Sequence, residues 1–72
     1  MVTAKVICLA KTPTAKGSDS PVDVRFMADI DHDDNAAWSA DTPGLSFSAV
    51  FTRATSELFE SGHRYTLTLT ED

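Results

Sequence analysis

Val22-Asp23-Val24-Arg25-Phe26-Met27-Ala28-Asp29-Ile30 carries the clearest periodicity in the chain. Val22, Val24, Phe26, Ala28 and Ile30 fall on one side, and Asp23, Arg25, Met27 and Asp29 on the other. A two-residue period marks a strand with one buried face, because successive side chains leave a pleated backbone on opposite sides. Upstream, residues 2–12 are rich in β-branched and apolar types and free of turn formers until Pro13, which predicts a first strand. Pro13-Thr14-Ala15-Lys16-Gly17-Ser18-Asp19-Ser20 between them is composed of loop-favouring residues and reads as a surface connection.

Downstream, Asp31-His32-Asp33-Asp34-Asn35-Ala36-Ala37 reads as a polar loop whose side chains bond their own backbone. Trp38 stands alone in polar surroundings, either plugging an end of the core or touching a partner. Thr42-Pro43-Gly44-Leu45 fits a type II turn, with proline presetting the first central residue and glycine accepting a positive φ at the second. Leu45, Phe47 and Ala49 then alternate with Ser46, Ser48 and Val50 in a third strand, and Phe51 breaks from that face or follows a bulge. Residues 54–61 predict a short helix, capped by Thr55 or Ser56 and ended by Gly62. Tyr65, Leu67 and Leu69 alternate with Arg64, Thr66, Thr68 and Thr70 in the last strand. The order β-β-β-short α-β predicts a mainly β fold. It suits a small antiparallel barrel or half-sandwich of four to five strands, with one short helix before the last, as a single domain over residues 1–72.

Seventy-two residues allow one core, which at this size seldom supplies more than about 3–5 kcal/mol, so folds of this length usually need a staple. A disulfide within the chain is excluded, because Cys8 is the only cysteine, and its place in Val6-Ile7-Cys8-Leu9-Ala10 predicts a buried, inert thiol. Oligomerisation remains as the expected staple. The net charge of −5, from eleven acids against six bases, argues against direct nucleic-acid binding, which needs a cationic footprint on phosphate. It argues equally against an anionic membrane surface. No stretch approaches the roughly 18 apolar residues of a membrane span. The apolar run after Met1 stops at Lys11, too soon for a signal peptide, and Ile7 before Cys8 is too large for a lipoprotein site, so a cytoplasmic chain at synthesis is expected.

Asp31, Asp33 and Asn35 have the spacing that begins an EF-hand loop, but Ala36 replaces the glycine of its sharp turn and Thr42 its bidentate glutamate. A solvated acidic turn is the expected state. His32 and His63 lie far apart without a cysteine pair, so no zinc ligand set is visible. There is no nucleophile elbow, no oxyanion loop and no phosphate-cradling glycine run, so neither catalysis nor a cofactor is expected. Phe26, Phe47 and Tyr65 fall on the buried faces of the clearest strands. Trp38, Phe51, Phe59 and Met27 are the large apolar residues least easily placed inside, and are the expected interface candidates.

Asp34-Asn35, then Trp38, then Thr42-Pro43-Gly44, then Phe59-Glu60-Ser61-Gly62-His63-Arg64-Tyr65 resembles a group of small proteins encoded by tailed bacteriophages. Their pattern places an acid and asparagine before an aromatic, a Thr-Pro turn after it, and Phe-Glu-x-Gly-x-x-Tyr before the last strand. The likeness covers residues 34–69, and the chain departs from it by placing Gly44 directly after Pro43. The resemblance implies a phage or prophage origin and no reaction. Two functions follow as expectations. The first is an oligomeric virion component, capsid-decorating or head-associated, whose partners are further copies of itself and a larger phage assembly. The second is a small inhibitor acting in the host cytoplasm on a defence factor or sequestering a signalling nucleotide. A small hydrolase or metal enzyme is a formal third.

Overall fold

The computed structural model describes every residue except Ser18, Asp41 and Thr42. Four strands follow the order read from the periodicity: β1 (Val2–Pro13), β2 (Val22–Ala28), β3 (Ser46–Phe51) and β4 (Arg64–Leu69). A 3-10 helix, Asp33–Ala37, lies between β2 and β3, and a single α-helical turn, α1 (Arg53–Ser56), precedes β4. The strands form one open antiparallel sheet in the order β3-β2-β1-β4. Of the two architectures the sequence suits, this is the half-sandwich.

Alternation decides which face is buried. Val6 lies opposite both Ala28 and Tyr65, Cys8 opposite Phe26, and Phe26 opposite Phe47. These pairs bring Val6, Cys8, Val22, Val24 and Phe26 into one buried cluster, edged by the partly buried Leu45, Phe47, Phe51, Phe59, Tyr65 and Leu67. The β1–β2 register slips between Cys8 and Ala10, so Leu9 is the extra residue of a bulge and turns out to solvent. The slip also reverses the parity of β1. Lys11 therefore comes opposite Val24, and its ammonium group donates to the Phe59 carbonyl at 3.0 Å.

Backbone bonding within the ladder is fixed by a few contacts at its ends. Ala28 N–H donates to Leu45 C=O at 2.8 Å, which extends the β2–β3 register by one pair. Bonded and non-bonded pairs alternate along an antiparallel ladder. The bonded pairs are therefore Phe26–Phe47, Val24–Ala49 and Val22–Phe51. Ser46, Ser48 and Val50 turn their N–H and C=O groups to the free edge.

Several local expectations need correction. Ile30 does not continue the inner face of β2 but is exposed, because the strand ends at Ala28 and the chain turns away once Asp29 N–H has bonded Lys5 C=O at 2.9 Å. Phe51 neither breaks from its face nor follows a bulge. It lies in unbroken register opposite Val22, on the same side as Phe47. The helical turn is capped by Thr52, whose hydroxyl accepts from Thr55 N–H, and not by Thr55 or Ser56, because β3 delivers Thr52 in an extended conformation ready to cap. Gly62 does not end that helix. It makes the turn into β4 at φ +85° and donates its N–H to Cys8 C=O at 2.7 Å. The type II turn expected at Thr42–Leu45 begins on a residue outside those described.

The molecule is a slab of 42 × 29 × 16 Å. Its radius of gyration is 13.5 Å, against about 11 Å for a compact domain of this length. It exposes 5121 Å², against about 4,400 Å² for a compact monomer of its mass.

Candidate interaction surfaces

One side of the slab is aromatic. All four phenylalanines and the one tyrosine of the chain meet there. Phe26 stacks on Phe47 at 4.8 Å between centroids and takes Phe59 and Tyr65 edge-on at 5.3 and 6.2 Å. Phe59 also stacks on Phe51 at 5.2 Å and meets Tyr65 edge-on at 5.2 Å. Phe26 and Phe59 thus each meet three other rings, and Phe59 is brought over the sheet by the segment that follows α1. Two contacts fix that segment: the Lys11 bond to its carbonyl, and the donation of Glu60 N–H to the Tyr65 hydroxyl at 2.8 Å. Offset and edge-on pairs of this kind each add about 0.5–1.5 kcal/mol beyond area burial. Only Phe26 is fully buried, and the other four rings are partly buried. They border a shallow apolar cleft of about 180 Å³.

The opposite side is mixed. Ile7 lies between Met27 and Arg64 in the register, with Leu9, Met27 and Val50 exposed among Lys5, Arg25, Ser46 and Ser48. Lys5 Nζ donates to the Thr66 hydroxyl at 2.9 Å. Arg64 Nε donates to Asp29 Oδ2 at 2.9 Å, pairing an exposed guanidinium with a carboxylate that is nearly buried. Lys5, His32 and Arg64 rim a hollow of about 300 Å³.

The 3-10 helix closes one end of the sheet through a single side chain. Where β2 stops, Lys5 C=O still accepts from Asp29 N–H but Lys5 N–H has no strand acceptor, and the Asn35 carboxamide completes the pairing. Asn35 Oδ1 accepts from Lys5 N–H at 2.8 Å, while Nδ2 donates to Lys5 C=O at 2.9 Å and to Asp29 C=O at 2.8 Å. Trp38 Nε1 donates to the same Oδ1 at 3.0 Å. Asn35 is 0 % exposed, so the segment read as a solvated loop contains a buried, fully bonded amide. The flanking Asp31, Asp33 and Asp34 are exposed. Among the described residues no three His, Cys, Asp or Glu side chains converge as metal ligands.

The four residues singled out from the sequence are therefore divided. Phe51 and Phe59 come together in the aromatic cluster. Met27 lies on the opposite side of the sheet, and Trp38 is half-buried beside Asn35 at its end. Sequence reasoning missed the structural role of Asn35 and the burial of Asp29. The spacing of Asn35 and Trp38, three residues apart on a helical turn, is the one signal that pointed there. Cys8 is fully buried, and burial pushes its thiol pKa up, partly offset by the Lys11 ammonium. No helix among the described residues is long and apolar enough to cross a membrane. No family model, curated protein or solved structure matches the chain.

Proposed function

We propose that this chain is a non-enzymatic, self-associating β module of a tailed bacteriophage, acting as a capsid-decorating or head-associated component of the virion. The observation that carries the reading is the aromatic face. A 72-residue chain that can bury only one of its rings fully has apolar surface left for a neighbour to cover. The shape supports the same reading, since the slab exposes about 700 Å² more than a compact monomer of its mass. A standard protein interface covers about 800 Å² per partner. The resemblance of residues 34–69 to small phage proteins supports the viral setting. Lattice contacts would then supply the stability that so small a core lacks.

Mass spectrometry of purified particles from the encoding phage tests this reading. A copy number on the scale of the capsid lattice is the expected result, and absence from the particle overturns it. The second reading, a sequestering protein that acts on a host signalling nucleotide, is favoured by the hollow where Lys5, His32 and Arg64 gather despite the acidic net charge. Calorimetric titration with a panel of cyclic and linear nucleotides separates the two readings.

A further inference from the structure

We propose that the free edge of β3 is where two copies of the chain join, as an isologous antiparallel β3–β3 pair with its two-fold axis at Ser48. The proposal rests on the self-association inferred above and names the surface that performs it. Ser46, Ser48 and Val50 direct their N–H and C=O groups away from β2, leaving a row with no backbone partner among the described residues that a strand of a second copy satisfies. Natural sheets usually blunt such an edge with lysine, proline, an inward charge or a bulge. The run Ser46-Phe47-Ser48-Ala49-Val50-Phe51 has no charge and no proline, and its pairing with β2 is unbroken. The other edge strand, β4, carries Arg64 and a lysine contact at Thr66.

The sequence of β3 is also self-complementary in this register. About Ser48, the serine faces its own symmetry mate, Ser46 faces Val50, and about six backbone hydrogen bonds form by the alternation of the ladder. The intervening pairs set Phe47 of each copy against Ala49 of the other, so a large ring meets a methyl group twice across the axis. No like charges are opposed, which is the usual penalty in pairing a strand with itself. Because Phe47 and Ala49 point to the aromatic side, the pairing joins the two aromatic faces into one continuous surface across eight strands.

Sedimentation velocity of the full chain at micromolar concentration tests the proposal with Ser48→Pro, Ser48→Lys and Ser48→Glu. The Ser48 side chain is exposed and its N–H points outward, so an edge proline removes a bond to the second copy and none within the chain. The wild type is expected to sediment as a dimer or a multiple of it, and S48P to lose the β3 contact. S48K and S48E each weaken dimerisation about fivefold or more, the effect of like charges directly opposed. An equimolar mixture of the two recovers it. A wild-type oligomer that S48P and both charge variants leave intact overturns the β3 assignment while self-association stands. A monomeric wild type overturns both. Should S48P fail to fold, the charge pair decides: a mixture no tighter than either variant alone overturns the axis at Ser48.

Discussion

Asn35 holds four hydrogen bonds with one side chain, and each of its partners belongs to a different structural task. Lys5 N–H and C=O are the last backbone groups of β1 on the β2 side, Asp29 C=O closes the strand end, and the Trp38 indole docks the helical turn. Replacing it with alanine takes the acceptor from Lys5 N–H and from the Trp38 indole, while Lys5 C=O and Asp29 C=O keep their bonds from Asp29 N–H and His32 N–H. Each donor orphaned at this buried site costs about 1–3 kcal/mol. Asn35→Ala is expected to lose about 2–4 kcal/mol in urea unfolding, a large share of the stability of so small a domain. Asn35→Asp is expected to lose more at neutral pH, because a carboxylate cannot donate and would face two carbonyls. Cys8 supplies a second test at this scale. Burial raises its pKa in the fold, so the neutral thiol is the form the folded state favours. The stability it contributes is present below the unfolded thiol value of about 8.5 and is lost as pH climbs from there through the folded value. Unfolding measured from pH 7 to 10 should fall more steeply for the wild type than for Cys8→Ala, and alkylation of Cys8 should be slow until the chain unfolds.

The strands were legible because each obeys a period of two: β1, β2, β3 and β4 all occur where alternation or β-branched composition places them. Their connections were less so, for physical reasons. Nothing in Cys8-Leu9-Ala10 distinguishes a bulge from a continued strand, since all three residues are apolar and the slip is set by the partner strand. Phe51 was misjudged because Val50 before it is apolar yet points to solvent, which blurs the alternation without breaking it. Asn35 was hidden because an acidic, asparagine-containing run normally marks a solvated turn, and only the premature end of β2 gives the amide a backbone to bond. Gly62 shows what the turn before β4 requires. At φ +85°, and with open space where a Cβ would sit, a substitution there meets no clash and pays only for the left-handed backbone. Gly62→Ala is expected to cost about 1–2 kcal/mol, and Gly62→Asn distinctly less, since asparagine tolerates that region. Equal losses for both, read from melting curves, would show that the cost lies elsewhere than in φ.

At the scale of the whole molecule, the sheet has one aromatic side that a four-residue helical turn and the segment carrying Phe59 only partly cover. A second layer normally packs about 10 Å from a sheet, and within a thickness of 16 Å this chain supplies only a fragment of one. Apolar area left exposed in a monomer is stabilising only when another surface meets it, so folding and association are thermodynamically linked. The melting temperature is therefore expected to rise with protein concentration across the micromolar range, and a concentration-independent, cooperative melt of a monomer would refute the linkage. Charge gives the same equilibrium a second signature. Each copy carries a net charge of −5, so two copies repel as they approach, and added salt screens that repulsion within a Debye length of about 10 Å at 0.1 M. If the contact is the neutral β3 edge and the apolar rings behind it, salt has no attractive ion pair to weaken there. Association should then tighten as sodium chloride rises from low to physiological concentration. Weakening over the same range, followed by sedimentation, would instead assign the contact to charged groups such as Lys5, Arg25 and Arg64 on the opposite side of the sheet.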